Sequence, residues 1–294
     1  MSHHVLDEIG SQPDVWARAA AIGPKAEGLP QPGERVAVIG CGTSWFMAMC
    51  YSVLREAAGL GWTDAFTATE LPKDRGYDRV VAITRSGTTT EVLDALAALR
   101  GRVPTVAITG DPATPIADAS DALVALDFAD ERSVVQTRFA TSVLALLRAS
   151  LGEDLAPVVR DARAALDRPV EAYLAATQVS FLGDGWTVGL AHEAALKMRE
   201  AAQAWTESYP AAEYRHGPVS VAEPGRLTWL LGAVPSGLEQ EVAATGATFV
   251  HHADLDPMAA LIVAQRTAVA MALQRGLDPD QPRHLTRSVI LAAR

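Results

Sequence analysis

Two stretches of this chain repeat one form: Val36-Ala-Val-Ile-Gly40-Cys41-Gly42-Thr43-Ser44 and Val179-Ser-Phe-Leu-Gly183-Asp184-Gly185-Trp186-Thr187. Each is a short, mainly apolar run that ends on glycine, turns through a polar glycine-containing loop and opens a helix-forming segment. An apolar run without strict alternation marks a strand buried on both faces, the kind found in parallel sheets covered by helices. Parallel neighbours need a long crossover, usually a helix. A chain with this form twice is therefore expected to alternate strands and helices in two copies, the second divergent.

The remaining pattern agrees. Residues 5–23 read as an amphipathic helix broken at Pro13, followed by a Pro- and Gly-rich loop from Pro24 to Gly33. Strands are expected at Arg35–Gly40, Ala65–Thr69, Arg79–Ile83, Thr105–Thr109 and Ala122–Leu126, with helices at Trp45–Ala58, Glu91–Arg100 and up to Leu151. After a connecting helix come strands at Val179–Gly183, Arg226–Gly232 and Ala247–His251 and a helix from Met258 to Gly276. The tail ends in the strand-like Ser288-Val-Ile-Leu291. The expected architecture is α/β: two tandem αβα three-layer, flavodoxin-like units with parallel sheets. Its divisions are a helical segment 1–30, a first unit 31–152, a connecting helix 153–170, a second unit 171–278 and a tail 279–294.

Composition narrows the partners. With 294 residues, 49% hydrophobic and 20% charged, the chain has enough apolar material for two cores and is not of the disordered class. The formal charge, 25 minus 35, is −10 with no Lys/Arg cluster, which argues against nucleic acid. An anionic ligand would have to be held locally by amides and hydroxyls, against the global field. The two cysteines, Cys41 and Cys50, make neither a disulfide framework nor a zinc site, and suit a reducing cytoplasm. The start MSHHVLDEI has no signal-peptide form, and the apolar runs are too interrupted to span a bilayer.

Two regions carry chemistry. The loops Gly42-Thr43-Ser44, Thr84–Thr90 and Ser133–Thr137 concentrate hydroxyls and glycine at the carboxyl edge of the first sheet, where open α/β folds bind ligands. Hydroxyls and amides at a helix start make an anion site, here read as one for a monophosphate; each Ser or Thr could alternatively be a simple helix cap. Neither a GxGxxG nor a Walker lysine is present, and nothing calls for a metal or an organic cofactor. The second region is Leu190–Pro218. Leu190 to Trp205 contains no Gly, Pro or β-branched residue, so it forms a helix, on which Glu193, Lys197 and Glu200 share one stripe. A turn containing Pro210 and the polar run Glu213–His216 follow. Two carboxylates and a histidine suit acid–base chemistry; the alternative is an i,i+4 ion pair on a solvated face and a structural histidine.

Paired α/β units with Cys41-Gly-Thr-Ser44, Ser86-Gly-Thr-Thr-Thr-Glu91, Glu131-Arg-Ser-Val134 and Glu193-Ala-Ala-Leu-Lys197…Glu200…Arg215-His-Gly-Pro218 resemble the sugar isomerase (SIS) family. The likeness is to the isomerase half of glucosamine-6-phosphate synthase and to SIS-type amino-sugar phosphate deaminases, and runs from Glu8 to Val289. It implies that Ser44, Thr84, Ser86 and Thr89 hold a sugar phosphate, with Gly42, Thr43, Ser133 and Val134 lining the ligand. It implies that Glu200 moves a proton between C1 and C2, that Glu193 lies near the sugar hydroxyls, and that His216 opens the ring, commonly lent by the partner of a homodimer. This chain departs from the synthase pattern. Arg287 stands where the synthase has its Schiff-base lysine, and a guanidinium cannot form that imine. Arg85 replaces a glutamine and Arg138 a lysine; Arg85 would add a cation at the ligand. No glutamine-hydrolysing segment precedes the unit in this sequence, so amide-fed synthesis is not expected.

Once Glu200 has taken the C2 proton of an opened hexose 6-phosphate, reprotonation at C1 isomerises it. A free 2-amino group then leaves as ammonia, whereas an N-acetyl group redirects the charge to expel the 3-hydroxyl. The expected function is therefore deamination/isomerisation or C2–C3 dehydration of a glucosamine or N-acetylglucosamine 6-phosphate. The alternative is a non-catalytic sugar-phosphate sensor, since fold alone does not fix function.

Overall fold

The structure, a computed structural model, describes residues 3–72 and 74–292; the ends of the N-terminal segment and of the tail, residues 1, 2, 293 and 294, lie outside the described residues. It divides into two compact units. One comprises Asp14–Arg132, Gln136–Leu155 and Thr286–Arg294, the other Met1–Pro13, Ser133–Val135 and Ala156–Leu285. Both are α/β with a wholly parallel sheet.

The first unit has strands β1 (Val36–Gly40), β2 (Thr63–Thr67), β3 (Arg79–Thr84), β4 (Thr105–Thr109) and β5 (Ala122–Ala125), in the order β2-β1-β3-β4-β5. Its main helices are α2 (Gln12–Ile22), α3 (Thr43–Ala57), α4 (Thr90–Leu99), α5 (Ile116–Ala119) and α6 (Arg138–Ser150), numbered after α1 (His4–Gly10) of the other unit. Strand periodicity of two explains the layers. Ala37 and Ile39, Val80 and Ala82, and Ala107 face one way and pack with Val92, Leu96 and Leu99 of α4 and Ile116 of α5. The alternate residues Val36, Val38, Val81, Ile83, Val106 and Ile108 are also fully buried, while α3 packs on β1 and against α6.

The second unit has strands β6 (Gln178–Gly183), β7 (Thr206–Pro210), β8 (Arg226–Leu231) and β9 (Thr248–His251), ordered β7-β6-β8-β9, with helices α7 (Ala156–Leu166), α8 (Thr187–Ala202), α9 (Leu238–Ala244) and α10 (Pro257–Gln274). Helix α8 packs on β6 and β7 and against α10. It ends where Gln203 takes the left-handed conformation at φ 52° and its N–H reaches Arg199 O.

Three expectations are corrected. The helix break near the start falls at Ser11, with Pro13 accommodated in the first turn of α2. The second sheet has a fourth strand, β7, in the stretch Thr-Glu-Ser-Tyr-Pro that reads as a turn; it is an edge strand paired only with β6, which is why polar residues and a terminal proline are tolerated. Ser288–Leu291 forms no strand, because the segment is held by isolated bonds to the loop before α4 and to Thr90 at its start, and not by a ladder.

The repeat has a packing reason. A Cβ on Gly40 would lie 2.7 Å from Ser44 C, and one on Gly183 would lie 2.3 Å from Thr187 O and 2.4 Å from Thr187 C. In each unit the missing side chain lets the following helix start against the strand end. Gly183→Ala is therefore expected to destabilise the chain by about 1–3 kcal/mol, the usual cost of overpacking, because the obstructing atoms are backbone. A urea midpoint equal to wild type would show that α8 shifts freely.

Candidate functional site

Helix α8 presents Leu190, Ala191, Ala194, Ala195 and Met198 to the core, all fully buried. The charged stripe enters that core. The side chains of Glu193 and Lys197 are 1% and 2% exposed, whereas that of Glu200 is 19% exposed. Lys197 Nζ lies 3.7 Å from Glu193 Oε1 and donates a hydrogen bond to Glu200 Oε2. The ammonium thus bridges a buried and a solvent-reaching carboxylate. This is no solvated ion pair: the lysine between them is buried, and of the two carboxylates only that of Glu200 reaches the solvent. Next to Glu193, His192 Nδ1 is 2.8 Å from Ser208 Oγ of β7, and burial, aided by the Arg199 cation, pushes its pKa down.

His216 closes a single 3₁₀ turn, Glu213–His216. Tyr214, buried, meets Thr228 Oγ1 at 3.1 Å through its hydroxyl, and Arg215 Nε donates to Glu241 Oε2 at 2.6 Å. With the two residues before it fastened inward and sideways, His216 stands exposed.

In the five-stranded unit, Gly42-Thr43-Ser44 opens α3 from the end of β1, and Thr84–Thr89 leads from the end of β3 into α4. Strands β1 and β3 are neighbours on which the chain reverses its direction of growth, so the two loops flank the sheet's topological switch point. Thr43, Ser44, Thr84, Arg85 and Ser86 are buried, and Thr89 is half-buried. Gly87 N–H donates to Thr84 Oγ1 and Thr88 N–H to Ser86 Oγ, both at 3.3 Å. The tail lies on this loop. Ser86 and Thr88 hydroxyls donate to Ser288 Oγ at 3.1 and 2.9 Å, and Thr89 Oγ1 is 3.5 Å from it. Arg85, read from sequence as a ligand cation, is buried and donates from Nη2 to Arg287 O at 2.7 Å.

Arg287 itself forks onto Asp130, with Nη2 at 2.6 and 2.8 Å from the two carboxylate oxygens, and Nη1 donates to Glu131 O. Ser133 and Val134 belong to the other unit, where Ser133 hydroxyl donates to the Glu8 carboxylate and Val134 N–H to Asp280 O at 2.9 Å. Arg138 Nε donates to Asp130 O at 3.1 Å. Glu131, part of a motif but given no role from sequence, caps α6: its Oε1 accepts from Thr137 N at 2.6 Å and Arg138 N at 2.8 Å. Asp130 and Ser288 have no role in the sequence reading either, since only the long-range fold brings tail and loop together. Neither cysteine forms a disulfide, and burial with the nearby Glu91 carboxylate pushes the Cys41 thiol pKa up. Among the described residues, His3, Asp278 and Asp280 are grouped closely enough to hold a cation, but Asp280 already accepts the His4 and Val5 N–H groups, both at 2.8 Å. No helix among the described residues is long and apolar enough to cross a membrane.

Two α/β units, each with a wholly parallel sheet, match the fold of the SIS phosphosugar isomerases. No family model matches the chain. It is 28% identical over 346 residues to glutamine–fructose-6-phosphate aminotransferase (isomerizing) of Pyrobaculum aerophilum, a match covering 98% of this chain and 57% of the relative. The chain thus spans little more than half the length of that relative. The crystal structure of glucosamine-6-phosphate deaminase from Thermotoga maritima superposes with a TM-score of 0.80 at 25% identity, covering 98% of both chains. Tagatose-6-phosphate ketose/aldose isomerase from Escherichia coli shares the fold at 20% identity, with a TM-score of 0.77 over 98% of this chain and 95% of its own. The chain's homologues are therefore the isomerase region of the aminotransferase, and its structural neighbours are SIS phosphosugar isomerases and glucosamine-6-phosphate deaminase-like proteins.

Proposed function

We propose that the protein acts on a 2-amino-hexose 6-phosphate, opening the ring, moving the C2 proton with Glu200 and releasing ammonia with a ketose phosphate. The observation that carries this reading is the α8 triad, in which Lys197 holds Glu200 as the solvent-reaching member. In the opened aldose the C1 carbonyl acidifies the C2 hydrogen, and a fixed carboxylate removes it. The proton returns at C1, leaving an imine at C2; water adds there and ammonia departs. Ser44, Thr84, Ser86 and Thr89 take the phosphate. Exposed His216 serves ring opening, lent by a second copy of the chain.

The similarity to the Thermotoga deaminase favours deamination over dehydration. The fork of Arg287 onto Asp130 supports the same choice over glutamine-dependent synthesis, because a guanidinium cannot serve as an imine-forming amine. Incubation with glucosamine 6-phosphate is expected to yield ammonia and fructose 6-phosphate. An ultraviolet-absorbing unsaturated product from N-acetylglucosamine 6-phosphate alone would reassign the enzyme as a dehydratase. Tight binding of both sugars without turnover of either would make it a sensor.

A further inference from the structure

The loop that would take the phosphate already has an occupant. Each hydroxyl carries one proton to give, and those of Ser86 and Thr88 are both directed at Ser288 Oγ, with Thr89 Oγ1 at the edge of the same atom. The Thr90 N–H, in the first turn of α4, goes to Val289 O at 3.2 Å. Donors that an anion would need at a helix start therefore converge on neutral oxygens of the tail.

Resting on the phosphate reading of this loop, we propose that Ser288 is a competing occupant of the anion site: its hydroxyl stands where a phosphate oxygen will sit, and binding of the phosphate displaces residues 288–291 from the loop. Energetics favour such an exchange. Hydrogen bonds to an anionic oxygen are roughly twice as strong as those between neutral groups, so a phosphate gains where a neutral sugar hydroxyl would only replace like with like. The segment to be released is weakly held. Val289, Ile290 and Leu291 are 51%, 72% and 49% exposed, so little apolar surface is uncovered when it leaves. Its root stays in place, because Arg287 is forked onto Asp130 and receives Arg85 on its carbonyl. The tail thus pivots at Arg287, and the apparent affinity for phosphate carries the cost of moving Ser288 aside.

The test uses the full chain and inorganic phosphate, which involves no sugar chemistry. Ser288→Ala is expected to bind phosphate about 3- to 10-fold more tightly than wild type by calorimetric titration, the equivalent of one neutral hydrogen bond no longer displaced. Asp130→Asn, which loosens the root and keeps Ser288, is expected to move in the same direction. Hydrogen exchange of the Leu291 amide, which donates to Thr90 Oγ1 at 2.9 Å, is expected to quicken when phosphate is added to the wild type. Weaker or unchanged phosphate binding by Ser288→Ala, or slower exchange in the tail, would overturn the inference while leaving the substrate reading intact. Failure of wild type and variant alike to bind phosphate would remove the anion site itself, and both proposals with it.

Discussion

Replacing Glu200 with glutamine is expected to lower turnover of the amino-sugar phosphate by about a hundred- to ten-thousand-fold, while its binding stays within a few-fold of wild type. The amide keeps the size of the side chain and can still accept the hydrogen bond from Lys197 Nζ, so α8 keeps its packing. What it loses is the ability to take a proton. Since that loss is felt in the transition state and not in the ground state, kcat falls with little change in binding. Wild-type turnover in this variant would take the role from Glu200. The same variant tests the shared site. If His216 serves the site of a second copy, an equal mixture of Glu200→Gln and His216→Ala chains forms mixed dimers in which one site carries both lesions and the other carries neither. After random exchange about a quarter of wild-type activity returns, the number of intact sites in a two-fold dimer. No recovery on mixing would confine each site to its own chain.

What was legible from sequence followed from local pattern. The apolar runs ending at Gly40 and Gly183 announce buried parallel strands, and the reason each ends on glycine, a helix starting within 3 Å, belongs to the same few residues. Helix α8 was legible because its composition admits little else. Strand β7 was not: on an edge, pairing with β6 outweighs the weak strand preference of a polar stretch ending in proline. The depth of Glu193 and Lys197 was hidden too, because an i,i+4 pair reads the same on a solvated face and in a core. Hidden most of all was the tail. Ser86 and Ser288 are 202 positions apart, and no periodicity links them. Ser133 shows the converse limit: a hydroxyl in a loop of the right form, yet fastened to Glu8 of the N-terminal helix.

Lys197→Met is expected to lower the unfolding free energy by about 3–5 kcal/mol, the loss seen when one partner of a buried ion pair is removed. Methionine fills nearly the same volume, so packing changes little and the loss is electrostatic. Of the two carboxylates, Glu200 can turn to water, whereas the Glu193 side chain, 1% exposed, loses the cation that lay 3.7 Å from its Oε1 and stays in the core. Glu193→Leu should by the same logic remove one of the carboxylates beside Lys197 while its hydrogen bond to Glu200 stays. The double variant, Glu193→Leu with Lys197→Met, removes both buried charges together, and its loss is expected to be well below the sum of the two single losses. Urea denaturation of the four proteins measures the coupling. Additive losses would mean that Lys197 acts on Glu200 only, and that the buried carboxylate one turn earlier is held by other means.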